Sequence, residues 1–224
     1  MQNKFVKKDT KLVAAIKNVA DTEIKRRNIS FNHEVFNIKD LTECPRRMMY
    51  RANATEANPP NFLEDNYLKS VKTKWIDFFE KCNGIAVLER DVLAADCNFN
   101  VVGSADAIIR IIDVSSVLLV DSLNPSEYDQ SKKAGGLRRQ IVELMMTMWL
   151  TEVANGILLC ENKYTNEYFL SHVIPHKGIL ESARTKCANL MEKKILQQMP
   201  DRAYGSDDSQ ECNICEYRNI CWNK

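Results

Sequence analysis

Three cysteines near the end of the chain, Cys212, Cys215 and Cys221, follow the spacing C-x2-C-x5-C. The tail around them is polar, so core packing is not the reason they are there. Thiolates at this spacing are ligands for a soft metal or an iron–sulfur cluster. Either wants four ligands, and the fourth candidate is Cys44, in Thr42-Glu43-Cys44-Pro45-Arg46-Arg47, roughly 170 residues upstream. A ligand so remote makes the site a clasp between the tail and the N-terminal region. Zinc competes with iron here, because C-x2-C pairs also make zinc sites. Of the other cysteines, Cys82, Cys97, Cys160 and Cys187 have no neighbour at ligand spacing. Cys160 and Cys187 are read as small buried hydrophobes.

A second set of candidates is acidic. Asp106 follows Gly103-Ser104-Ala105, and Asp121 ends the apolar run Val117-Leu118-Leu119-Val120. Carboxylates at the rims of adjacent strands suit Mg²⁺ or Mn²⁺, which take oxygen ligands and activate water against phosphate esters. Spacing alone equally fits plain turn residues. Basic residues cluster at Arg46, Arg47 and Arg51, and again at Lys132-Lys133 and Arg138-Arg139. Such clusters are either a solvated surface or contacts to phosphate. Tyr50 stands among the first group as a candidate stacking surface.

The elements that must position these groups follow from periodicity. Apolar spacing predicts helices over Thr10 to Arg27, from Ile38 onward with Pro45 in a first turn, and over Phe62 to Lys81. Ser30 to Phe36 reads as extended and Asn53 to Asn61, closed by Pro59-Pro60, as a loop. From Gly84 the pattern changes to strands over Ile85–Leu93, Phe99–Val102, Ala107–Ile112 and Val117–Val120, with a turn at Gly103-Ser104. The run at Val117–Val120 is expected to be buried on both faces. Asn124 to Gly136 reads as a polar connection and Arg138 to Ala154 as a long helix. Strands over Ile157–Glu161 and Glu167–Ile174 precede a last helix that ends near Pro200. The expected organisation is a helical region to residue 83, a core over 84–200 and a cysteine tail over 201–224.

At 224 residues, with 45% hydrophobic and 27% charged residues, the composition is that of an ordinary globular chain. A net charge of +1 requires any basic surface to be local. No apolar run approaches the roughly 20 residues of a membrane span, and the start lacks the apolar core of a secretory signal. A reducing cytoplasm is therefore expected (a host's, for a viral chain), where cysteines serve as ligands or free thiols.

Taken together, these residues resemble the RecB-type PD-(D/E)XK nucleases, in particular the iron–sulfur branch with the CRISPR-adaptation exonucleases and phage relatives. An early cysteine followed by arginines, with C-x2-C-x5-C at the far end, is similar to that branch's cluster signature. Gly103-Ser104-Ala105-Asp106 matches the family's G-x-x-D strand. The stretch from Met145 to Lys163, with Trp149, Leu150 and Glu161-Asn162-Lys163, is similar to phage members. The resemblance spans Cys44 to Cys221. It implies an α/β, restriction-endonuclease-like mixed central sheet flanked by helices, with a C-terminal clasp. It also implies a [4Fe–4S] cluster on Cys44, Cys212, Cys215 and Cys221, Mg or Mn on Asp106 and Asp121, and DNA as partner.

The chain departs from the family at the catalytic positions. The family's E-x-K reads Asp121-Ser122-Leu123, and leucine cannot supply the cation that steadies the transition state. The paired glutamine and tyrosine on the next helix read Glu143 and Thr147, and Phe62 to Lys81 contains no histidine. The resulting expectation is a catalytically degenerate nuclease relative. It would act by binding DNA, single strands foremost, or a protein partner, along Arg46, Arg47, Arg51, Lys132, Lys133, Arg138 and Arg139. The alternative is an active Mg/Mn-dependent nuclease in which Lys132, Lys133 or Glu143 has taken over a catalytic role. A zinc-clasped scaffold with no nucleic-acid role is the third reading.

Overall fold

The computed structural model describes residues 35–53 and 62–222, all within one compact unit. The expected helix Thr10–Arg27, most of the extended segment from Ser30, and most of the loop before Phe62 lie outside the described residues. The first described elements are strand β1 (Phe36–Asn37) and a 3-10 helix (Ile38–Thr42). Helix α1 (Pro45–Ala52) follows, with Pro45 in its first turn. The single helix expected from Ile38 is thus split at Glu43-Cys44. Proline lacks an N–H and disfavours a helical residue before it, so the new helix starts at Pro45.

Helix α2 (Phe62–Lys81) has the predicted bounds. Three antiparallel strands succeed it: β2 (Ile85–Asp96), β3 (Val101–Ile111) and β4 (Val114–Leu123). Here the expected turn at Gly103-Ser104 is absent, and β3 runs straight through it. Gly103 serves a close approach instead, because a Cβ there would stand 2.2 Å from Ile38 Cδ1 and 3.1 Å from Leu150 Cδ1.

The polar connection after β4 contains helix α3 (Pro125–Ala134), which the periodicity reading missed. Its local signals are complete. The Asn124 side chain caps the Glu127 amide at 3.0 Å, Pro125 opens the first turn, and Gly135 at φ 74° closes the end. Next come α4 (Arg138–Thr151), β5 (Gly156–Asn162), β6 (Tyr168–Val173) and α5 (Lys177–Ile195). Two short helices, α6 (Gln210–Asn213) and α7 (Arg218–Trp222), form the tail.

The strands make one mixed six-stranded sheet in the order β1-β3-β4-β5-β6, with β2 on the other side of β3. The β4–β5 pair is parallel, which requires the crossover through α3 and α4. Alternation along β4 places Val117, Leu119 and Leu123 on one face with Tyr128 of α3 and Leu144 of α4. Leu118 and Val120 point the other way, to Val71, Trp75 and Phe79 of α2. The run is buried on both faces, as its apolar continuity predicts. A third cluster joins Phe36, Ile38 and Leu41 to α1, α4 and α5 through Met48, Met146 and Leu190. Cys160 and Cys187 are fully buried, as expected. No helix among the described residues is long and apolar enough to cross a membrane.

Candidate functional site

The sheet forks at Asp106. Strand β2 occupies one edge of β3 along almost its whole length, so β1 and β4 share the other. β1 pairs at Val101 and Val102, and β4 only from Ala107 to Ile111. Beyond Leu118, β4 leaves β3 and continues against β5. The Asp106 side chain fills the resulting gap, with Oδ2 accepting from the Val120 amide at 2.6 Å. A carboxylate thus takes the donor that the ladder abandons, which is why it stays in place while 8% exposed.

Five further groups enter this fork. Lys72 of α2 places Nζ 2.6 Å from Asp106 Oδ1. Asp121 of β4 accepts from Ser122 N at 2.9 Å through Oδ1 and from Gln140 Nε2 at 2.6 Å through Oδ2. Glu143 of α4 stands one helical turn beyond Gln140, with Lys39 of the 3-10 helix 3.8 Å away. Burial works against the charged Lys72 amine, but Asp106 outweighs it, with Glu143 and Asp121 adding to the effect. Lys72 is therefore held above the ordinary lysine range. Burial pushes Glu143 up to about 7; Lys39 and Lys72 pull it down, and Asp121 and Asp106 push it further up.

All four oxygens of Asp106 and Asp121 thus have a protein donor, and a lysine ammonium sits among three carboxyl groups. Among the described residues no group of three or more His, Cys, Asp or Glu side chains is gathered closely enough for a metal ion. Leu123, which the resemblance sets against the lysine of E-x-K, points into the core and is 1% exposed. Neither Lys132 nor Lys133 reaches the fork. Lys132 lies over the Tyr128 ring at 5.5 Å, and Lys133 is exposed at the end of α3. The cation beside Asp106 comes from α2 instead. A further carboxylate, Glu161, is fully buried on β5 and bound by Lys74 and Trp75 of α2, the indole at 2.6 Å.

The cysteines converge elsewhere. Cys44, Cys212, Cys215 and Cys221 line one cavity of about 190 Å³ between α1 and the tail, and all four are free thiols. The tail's turns aim them inward: Ser209 Oγ caps the Cys212 amide at 3.2 Å, and the Cys221 amide bonds Tyr217 O at 2.8 Å. Burial raises the Cys215 thiol above its ordinary value. Two arginine Nε atoms among the cavity-lining residues, those of Arg47 and Arg218, are buried without a hydrogen-bond partner.

The α1 arginines hold the tail rather than an open surface, which departs from the expected DNA path. Arg46 donates to Pro200 O at 2.7 Å and lies 3.7 Å from Cys221 Sγ. Arg47 and Arg51 grip Glu216 at 2.6 and 2.8 Å, and Arg51 also bonds Asp40 and Glu43. Despite burial, these hydrogen bonds keep Glu216 below the usual carboxylate range. Tyr50 stacks on Tyr217 at 5.2 Å, so its face is already covered. Arg139 pairs with Glu127 at 2.8 Å, while Arg138 is exposed beside a groove of about 780 Å³ that Lys186 also lines.

Sequence reasoning brought Asp106, Asp121 and Glu143 together and missed Lys72, Lys39 and Gln140. A signal existed for Lys72, which sits between the core-facing Val71, Trp75 and Ile76 and so borders the buried face of its helix. Gln140 lies one turn before Glu143 on the same helix face.

No protein-family model matches the sequence, and no curated protein does. The fold is nevertheless similar to solved structures. One is the alkaline exonuclease LHK-Exo of Laribacter hongkongensis, at 9% identity and a TM-score of 0.59, covering 74% of this chain and 90% of that one. The same exonuclease in complex with dAMP gives the same values. Another is SSO0001, at 18% identity and a TM-score of 0.57, covering 95% of this chain and 97% of that one. The fold, a mixed sheet flanked by helices, is similar to that of LHK-Exo and of SSO0001.

Proposed function

We propose that this chain is a RecB-like nuclease relative that binds DNA, carries a [4Fe–4S] cluster as a structural clasp, and cuts phosphodiesters poorly or not at all. The observation that carries the catalytic part is Lys72 on Asp106. Hydrolysis in this chemistry needs carboxylate oxygens that are open to a divalent cation. Here those oxygens are held by an ammonium, an amide side chain and two backbone amides. Glu143, pushed up to about 7, is about half protonated at neutral pH and is a weaker ligand for it. A Mg²⁺ or Mn²⁺ ion on Asp106 and Asp121 would supply a polarised water and neutralise developing charge. Such an ion first has to displace Lys72, and it leaves Leu123 unable to help.

The same lysine supports a second reading, an active nuclease in which Lys72 stands in for the missing lysine of E-x-K. Cleavage of end-labelled single-stranded DNA in Mn²⁺ separates the two. The first reading expects little or no cleavage by the wild-type chain. Rapid cleavage that both Asp106→Ala and Lys72→Ala abolish establishes the second.

For the cluster, support comes from four free thiols on one cavity and from two buried Nε–H groups there that lack an acceptor. A cluster several atoms wide suits ligands set further apart than a single ion accepts. Cys44, Cys212, Cys215 and Cys221 would hold it, and its chemistry would be that of a staple joining α1 to the tail. Anaerobically purified protein is expected to contain iron and sulfide with broad absorption near 400 nm. One equivalent of zinc in their place would favour the scaffold reading.

A further inference from the structure

The two arginines without an acceptor have a common arrangement. Arg47 spends its Nη atoms on carboxylates, with Nη2 2.6 Å from Glu216 and Nη1 3.3 Å from Glu43. Arg218 does the same through Nη2, 3.4 Å from Asp207 and 3.5 Å from Asp208. In each case carboxylates anchor the guanidinium through its Nη atoms, and the Nε–H is left buried and unpaired. Both residues line the cavity of the four thiols, one from α1 and the other from α7. A buried donor without a partner is disfavoured, and native chains keep few. Two of them lining one sulfur-rich cavity, from elements far apart in sequence, call for an acceptor inside it.

We infer that Arg47 and Arg218 donate their Nε–H groups to sulfur atoms of the bound cluster and thereby raise its reduction potential. The inference rests on the cluster reading given above. Its physical basis is charge. Four thiolates around a [4Fe–4S] core make an anion, and accepting one electron makes it more negative. N–H···S hydrogen bonds and nearby guanidinium charge stabilise the reduced form more than the oxidised form. The carboxylates Glu43, Glu216, Asp207 and Asp208 hold the two guanidinium groups, as second partners do at metal sites generally.

The test uses the full chain, reconstituted anaerobically with ferrous iron and sulfide and titrated with dithionite while the reduced cluster is followed by EPR. Arg47→Lys and Arg218→Lys keep the charge and remove the Nε donor. Each is expected to move the midpoint to more negative potential, and the double variant further still. Arg90→Lys is the control. It makes the same exchange at an arginine paired with Asp77 and Glu80, away from the cavity lining and its carboxylates, and is expected to leave the midpoint where it is. Midpoints that stay at the wild-type value in both cavity variants overturn the inference and leave the cluster reading intact. A wild-type chain that takes up no iron or sulfide overturns both. Should the variants fail to load, an Arg46→Lys chain labelled with ¹⁵N-arginine serves in their place, since Arg46 also lines the cavity and stands 3.7 Å from Cys221 Sγ. Pulsed EPR of its reduced cluster is expected to show ¹⁵N coupling, and a spectrum without any refutes the assignment.

Discussion

Lys72 of α2 lies 2.6 Å from Asp106 of β3, at the point where β3 and β4 part. The pair joins the helix on one face of the sheet to the fork that holds Asp121 and Glu143. Its ammonium occupies the Asp106 oxygen that a cation would need. An amine on a helix is tethered and cannot dissociate, so it competes with any divalent cation at an effective concentration that added metal must exceed.

Removing that amine is expected to open the site. Lys72→Ala should bind Mn²⁺ roughly tenfold more tightly than wild type, or about 1.4 kcal/mol. Isothermal titration, or the loss of free Mn²⁺ signal by EPR, measures this. Any basal cleavage should persist or rise. Weaker Mn²⁺ binding by the variant would show that Lys72 assists the ion instead of displacing it.

Glu143 makes stability depend on pH. Its folded value of about 7 exceeds the ordinary 4.5, so the folded state holds the proton more tightly than the unfolded chain does. The contribution is most favourable below about 4.5, falls as pH rises through the interval to about 7, and is level above it. Over that interval it amounts to roughly 3 kcal/mol. Glu143→Gln, which cannot ionise, should gain stability relative to wild type between pH 5 and pH 7.5 in urea unfolding. A difference between the two proteins that is the same at both pH values would contradict the assignment.

Restoring the family's lysine at residue 123 is expected to damage the protein. Leu123 lies in the cluster with Leu119, Tyr128 and Cys160, not at the mouth of the fork. An ammonium placed there loses its hydration without gaining a partner, at a cost of about 3 kcal/mol or more. Leu123→Lys should therefore melt well below wild type and cut DNA no faster. A gain in cleavage with unchanged melting would mean that the side chain reaches the fork after all.

How far the sequence could be read depends on the range of the interaction. Helix α2 was legible to the residue because its apolar spacing is local, and Cys160 was legible because it continues the apolar run Ile157-Leu158-Leu159. Helix α3 was announced by Asn124-Pro125 and Gly135, but its surface is polar and periodicity alone passed over it. Asp106 and Asp121 were picked out as strand-end residues, yet Asp106 lies in the middle of β3, where β4 parts from it. Lys72 was not, because its partner is set by how α2 lies across the sheet, which spacing does not encode. Arg47 and Arg51 look like a solvated basic face until Glu216, 165 residues after Arg51, is packed against them.

The tail clasp has two parts that can be cut separately. Glu216→Ala removes the carboxylate shared by Arg47 and Arg51 and should cost about 2 kcal/mol, since it strands two partly buried guanidinium groups. Cys215→Ser should in addition lower iron content and expose residues after Pro200 to protease. If Cys215→Ser keeps its melting temperature, metal content and protease pattern, the clasp is wrong.

The last prediction concerns where DNA runs. Arg47 and Arg51 have committed their charge to Glu43, Asp40 and Glu216, and Arg46 is turned onto the Pro200 carbonyl and Cys221, so α1 offers little basic surface. Lys132, Lys133 and Arg138 remain exposed, at the end of α3 and the start of α4. Arg138 also borders the groove that Lys186 lines. Counterion release gives a slope of about 0.7 in log affinity against log salt for each phosphate neutralised on a single strand. Replacing all three exposed residues with alanine should then flatten the salt dependence of single-stranded DNA binding by about 2. Arg51→Ala should leave that slope unchanged, because its charge is already spent within the protein. Fluorescence anisotropy at several salt concentrations decides it. A slope that flattens in Arg51→Ala and holds in the triple variant would return the path to α1, and would require Glu216 to release its arginines when DNA binds.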